Sequence, residues 1–263
     1  MVLEKLVSIR DAIRHPTWMF LIGGLISVIC IFIAFLVFPS NIGLFSVFLI
    51  TFAMTPFMCG LMKYEEIETE EEFGQRAKMN IFQRHGDVIK VYAAFFSGMV
   101  LSLSILFLIL PEATVQKIFD DQVKEIQAIT GNVAFQSSFQ KIIFNNVSVL
   151  FLSFLFAFLF GSGAIFILAW NASVLSAAIG LVAQSVGGLH GFPTAILTFL
   201  PHGSFEILAY FIAGVAGGLI SAVITRKKSK WFWVVTKDGF KMIGVAVVLL
   251  IIGAIIESAV ISF

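Results

Sequence analysis

Charge is what this sequence has least of. Only 13% of its 263 residues are Asp, Glu, Lys or Arg, where an ordinary soluble chain carries about 25%. A soluble domain with a solvated surface is excluded on that ground. Cysteine is almost absent: Cys30 and Cys59 both fall inside apolar runs, with no Cys-x-x-Cys or Cys/His spacing. A disulfide framework or a zinc knuckle is therefore unsupported, and each thiol reads as a small apolar side chain. His-Glu-x-x-His, Gly-x-Ser-x-Gly and a phosphate-binding glycine loop are all missing. Those are the signatures a hydrolase or nucleotide enzyme would offer, so no enzyme and no cofactor is expected. The net charge is +1, with no basic domain for nucleic acid and no acidic tail.

What the chain has instead is apolar length. Hydrophobic residues make up 59% of it, thirty of them Phe, and the mean hydropathy is +1.00. Twenty apolar residues at a rise of about 1.5 Å each cross a hydrocarbon core about 30 Å thick. By that measure Trp18–Phe38, Ile42–Met62 and Val91–Leu110 are spans. The first is too long for a signal-peptide core and no small-residue cleavage site follows it, so it reads as a retained transmembrane helix. Pro39-Ser40-Asn41 closes a tight hairpin, and Pro56 is expected to kink the second span.

From Val147 to Thr225 the run far exceeds one crossing. Interruptions at Asn171 and Gly187-Gly188 predict helices near 147–169 and 172–186, then a helix from Gly203 to Thr225 and a last span from Met242 to Ser262. Phe192–Leu200, bounded by Gly191, Pro193 and Pro201, is too short to cross and reads as a re-entrant or interfacial piece covered by protein. The expected fold is an all-α polytopic transmembrane bundle of six to seven spans, with a re-entrant or broken segment near 187–203. It forms one membrane domain over 1–263: three N-terminal spans in 1–110, a loop over 111–145, and a C-terminal bundle over 146–263.

Basic residues set the expected sidedness. Met1–His15, the 63–90 loop and the 226–241 loop together hold 14 of the 17 Lys and Arg residues, and seven crossings place all three on one face. The positive-inside rule makes that face cytoplasmic. The 111–145 loop, with Lys117, Lys124 and Lys141 beside Glu112, Asp120, Asp121 and Glu125, belongs outside. Val115, Ile118, Phe119, Val123 and Ile126 there predict an amphipathic helix. The acidic run from Glu65 to Glu72 reads as a solvated helical segment.

Of the 33 charged residues, only Glu206 and Glu257 lie deep in apolar spans. A carboxylate in hydrocarbon costs roughly 2.5–3.5 kcal/mol on insertion scales, so such a group is protonated, paired or beside water. His202 and Glu206, four residues apart, share a helix face. Pro201 suits a first helical turn, and Gly203 admits close backbone approach. Glu206 lies 20 residues before Arg226 and Glu257 lies 16 after Lys241. Those separations are about 30 and 24 Å of helix, so both acids fall at similar depth towards the outer face. Asn145 and Asn146 open the preceding span at that level, while Asn171 joins them only if Gly161-Ser162-Gly163 bends its helix back.

The candidate cluster is thus Asn145, Asn146, Asn171, Pro201, His202, Gly203, Glu206 and Glu257. Three roles stay open: a structural hydrogen-bond network, the lining of an ion, proton or small-solute path, or a three-ligand metal site. Ala213, Gly214, Gly217 and Gly218 form a small-residue face, used either within the chain against the last span or in a homodimer. No internal repeat of the inverted-transporter kind is present.

At Phe144-Asn145-Asn146, Trp170-Asn171-Ala172, Leu200-Pro201-His202-Gly203-Ser204-Phe205-Glu206, Ile212-Ala213-Gly214 and Ile256-Glu257, the chain resembles the stage II sporulation protein M family over roughly residues 140–263. The family often has Asn-Gly where this sequence has Asn171-Ala172. The resemblance implies a multi-pass membrane protein with membrane or extracytoplasmic protein partners. The sporulation member looks like a scaffold for cell-wall-degrading partners during engulfment.

Overall fold

The computed structural model describes residues 7–71, 81–130, 135–161, 164–225 and 232–261. The basic residues Arg76, Lys78 and Arg226 to Lys230 lie outside them, as do the side chains of Glu66 and Glu70 to Glu72. The described residues are helical almost throughout. A short α1 (Ile9–Arg14) leads into α2 (Thr17–Val37), α3 (Ile42–Glu71) and α4 (Ile81–Ile109). Two short helices follow, α5 (Glu112–Ile118) and α6 (Asp120–Thr130). Then come α7 (Phe135–Phe160), α8 (Ala164–Ser185), a 3₁₀ turn at Gly188–Gly191, α9 (Phe192–Thr225) and α10 (Phe232–Ile261). Seven of these, α2, α3, α4, α7, α8, α9 and α10, are long and apolar enough to cross a membrane.

Alternate crossings give the bundle two ends. One carries the 38–41 hairpin, α5, α6 and the 186–191 turn, and is called here the cap end. The other carries α1, the C-terminal ends of α3, α7 and α9 and the N-terminal ends of α4, α8 and α10, and is called the basic end. Leu21, Leu25, Phe32, Leu36, Phe52, Phe144 and Phe160 are exposed on the sides of the bundle, as lipid-facing surfaces require.

Lipid tails are as apolar as Leu, so close contact rather than water exclusion drives helix association. Glycine supplies it where helices cross. A Cβ on Gly98 of α4 would collide with the Phe20 carbonyl of α2, and one on Gly23 with the Phe95 carbonyl. The small-residue face of α9 is used within the chain. Gly217 abuts the Phe154 carbonyl of α7, Gly214 faces Ala164 of α8, and Gly218 faces Met62 of α3 and the Gly161 carbonyl. The stripe therefore seats α9 against α7, α8 and α3. Against the last helix, Gly239 and Gly253 of α10 make the close approaches.

Several details differ from the sequence reading. The fourth span ends at Phe160, and Gly161 after it adopts φ +73°, a conformation glycine accepts freely. Asn171 sits inside α8, its Nδ2 donating to the Ile167 carbonyl at 2.8 Å, so it supports the helix it was expected to end. The chain does break at Gly187 and Gly188, both with positive φ. From Phe192, however, α9 runs unbroken for 34 residues, with Pro193 in its first turn and Pro201 inside it. Phe192–Leu200 is thus the start of a spanning helix, not a separate re-entrant piece.

The 111–130 region forms two helices broken at Phe119 rather than one. Its apolar face is the expected one: Val115, Ile118 and Phe119 pack on Ile31, Ala34, Ile42, Leu103 and Phe107. These helices close the cap end over α2, α3 and α4. Gln122 of α6, 1% exposed, donates from Nε2 to Ser173 Oγ at 3.2 Å, fastening the cap to α8.

Candidate functional site: a carboxyl chamber beneath the cap

Helix α9 places His202, Glu206 and Tyr210 at four-residue intervals, hence along one face. That face looks into a cavity of about 200 Å³. Asn145 and Asn146 of α7, Asn171 of α8, Gly203 of α9 and Glu257 of α10 complete its polar wall, and Ile126 of α6 closes part of its cap side. Asn171 reaches the chamber because the chain reverses at Gly161, which returns α8 towards the cap end alongside α7. Of the eight residues singled out from sequence, seven line this chamber. Pro201 does not; it is exposed on the outer side of α9.

Asn146, 6% exposed, donates from Nδ2 to Glu206 Oε1 at 2.7 Å. Asn145 Nδ2 reaches Asn146 Oδ1 at 3.4 Å. The Glu257 carboxyl of α10 lines the same cavity, and the Asn146–Glu206 bond ties α7 to α9. Room for it comes from Gly253, where a Cβ would stand 2.8 Å from Glu206 Cγ and 3.3 Å from the His202 carbonyl.

His202 is 9% exposed, and its Nδ1 meets no hydrogen-bonding partner among the described residues. Buried polar atoms are normally satisfied, so this unpartnered imidazole nitrogen, on a residue that lines the cavity, is an unmet bonding capacity. Phe199 rests near the ring, with centroids 6.1 Å apart. A metal site is not formed: among the described residues, no three His, Cys, Asp or Glu side chains converge on one point.

Tyr210 was missed in the sequence, although its spacing from His202 and Glu206 was the available signal. A second buried group was also missed, nearer the basic end. Glu65 of α3 is 2% exposed and its Oε1 lies 2.9 Å from His85 Nδ1 of α4. Arg84 of α4 pairs with Asp238 of α10, both side chains 7% exposed. Glu65 is therefore not part of a solvated acidic face. It is a buried partner, and its place is set by a residue 20 positions away.

Together these features define a polytopic α-helical membrane protein with a carboxyl-lined chamber near one end. The sequence profile described as Stage II sporulation protein M matches residues 47–261, so the chain belongs to that family. The match reaches back into α3, well before the 140–263 segment that carries the motifs. A relative in Methanocaldococcus jannaschii, itself described as uncharacterized, is 30% identical over 166 residues, covering 60% of this chain and 88% of the relative. No solved structure matches the chain.

Proposed function

We propose that the protein is a non-enzymatic subunit of a membrane complex, a scaffold whose rigid core is the α7–α9–α10 unit. The carrying observation is the Asn146–Glu206 hydrogen bond between α7 and α9, with Gly253 of α10 packed close against Glu206. Below it, α9 packs against α7, α8 and α3 with no side chain at Gly214, Gly217 or Gly218. From Ala209 to Ile220 every residue of α9 is buried, so the helix is packed on all sides below the chamber. A fixed framework that presents its ends to other proteins fits that solidity better than a conduit does. The basic end is cytoplasmic by the positive-inside rule, so the α5–α6 cap offers the extracytoplasmic docking face. Partners are other membrane or extracytoplasmic proteins, not nucleic acid.

One observation favours a second reading, an ion, proton or small-solute transporter caught with its site open to the cap end. Glu206 and Glu257 are only partly buried, and the chamber has room for several waters. Proteoliposomes holding the purified protein separate the two. A scaffold should dissipate an imposed pH or cation gradient no faster than empty liposomes do, and Glu206→Gln should leave its native-membrane complex intact on gel filtration. Gradient-driven flux in the wild type that Glu206→Gln abolishes would replace the scaffold with the transporter.

A further inference from the structure

The chamber has a neighbour. A larger cavity of about 390 Å³ runs between α4, α8 and α9 with an apolar lining, within the roughly 300–1,000 Å³ range of small-molecule sites. On α9 its wall extends from Phe192 to Phe211, about 28 Å of helix, which is the length scale of an extended alkyl chain. Leu200 on its rim is 55% exposed, so the groove opens sideways towards lipid.

The two cavities share a wall: Phe96, Leu175, Phe199, Gly203 and Ile207 line both. Gly203 lies on that wall, and a Cβ there would find nothing within 4 Å. Helix geometry does not demand this glycine, since it sits inside α9 without positive φ. A glycine inside a helix costs about 1 kcal/mol relative to Ala, and here the missing side chain leaves open space at the wall the two cavities share.

We infer that groove and chamber together form one binding site for an amphiphile: a single apolar chain lying in the groove, with a small hydrogen-bond-donating head, a hydroxyl or a primary amine, passing Gly203 into the chamber. The polar wall selects that head. Glu206 and Glu257 offer carboxyl oxygens, Asn145 and Asn171 offer amide oxygens, and the open Nδ1 of His202 offers one more partner. A head that donates finds acceptors, whereas a phosphate or carboxylate head would bring a like charge against two acids in apolar surroundings. Burial of the chain supplies affinity at about 0.8 kcal/mol per CH₂, less what the same chain gains from bulk lipid.

The test uses the full chain in phosphatidylcholine nanodiscs and a hexadecanol bearing a mid-chain diazirine, with crosslinks mapped by mass spectrometry. Crosslinks should concentrate on 192–211 and 96–104, and hexadecanol or hexadecylamine should compete them away while palmitate does not. Competition by the alcohol alone assigns a neutral head, and by the amine alone a cationic one. Gly203→Leu should close the passage and lower groove labelling about tenfold, with labelling of the exposed Leu21–Leu25 face unchanged. The inference is overturned if the groove labels no more strongly than that lipid-facing surface, or if palmitate competes equally. Competition on the wild type decides the matter even if the leucine variant does not fold.

Discussion

Asn146 and Glu206, 60 residues apart in sequence, meet at 2.7 Å across the α7–α9 contact, and the Glu257 carboxyl of α10 lines the same cavity. The amide gives the acid a donor that lipid cannot. Removing a donor from this partly buried acceptor leaves it short of a partner, at about 1–3 kcal/mol. Asn146→Ala should lower stability by that amount in a reversible detergent-unfolding assay. Asn146→Asp should lower it further, because it sets a third carboxyl against two. Equal stability of all three proteins would show that the tie carries no load.

Glycines should separate into two classes. At Gly217 a Cβ would collide with the Phe154 backbone of α7, and neither helix can move without disturbing the core. Overpacking of that kind costs about 1–3 kcal/mol, so Gly217→Ala should reduce the melting temperature. Gly244 of α10 has nothing within 4 Å of its added carbon, and Gly244→Ala should be neutral or up to about 1 kcal/mol more stable through helix propensity. Thermal unfolding of the two variants side by side is the measurement.

The Arg84–Asp238 pair joins α4 to α10 among buried groups. Losing one partner of a buried pair costs about 3–5 kcal/mol. Asp238→Ala should therefore be among the most damaging single changes at the basic end. Adding Arg84→Met should recover part of the loss, since the buried guanidinium that lost its Asp238 contact goes with it. A double variant as unstable as the sum of the singles would contradict that account.

Sidedness has its own prediction. Glu112 at the start of α5 is exposed, and the Lys90 side chain of α4 is 66% exposed. In intact cells an impermeant maleimide should label Glu112→Cys and spare Lys90→Cys until the membrane is opened. The opposite pattern would invert the proposed orientation.

Much of this architecture was legible because a membrane makes length informative. Trp18–Phe38 and Ile42–Met62, read from uninterrupted apolar character, lie close to the spans Thr17–Val37 and Ile42–Glu65. Breaks inside the long 147–225 run were harder, because lipid-facing sequence offers few polar contrasts. Asn171 looked like an interruption, yet its amide bonds its own helix. Pro201 looked like a helix start, yet α9 carries it through ten residues in. The His202–Glu206 pair declared itself by spacing and the convergence of Glu257 by depth, since both follow from helix rise. Glu65 with His85 did not, because their pairing depends on how α3 and α4 lie together beyond any local pattern.

Helix α9 is also too long for its surroundings. Its 34 residues amount to about 51 Å at helical rise, against a hydrocarbon core of about 30 Å. Tilt, protrusion or local thickening of the bilayer must absorb the difference, each at a fraction of a kcal/mol per Å. Glu206, with its bond to Asn146, and Gly203 both ride on this one rod. Bilayer thickness is thereby coupled to the geometry around Glu206, and short-chain and long-chain lipids will hold the same site at different angles.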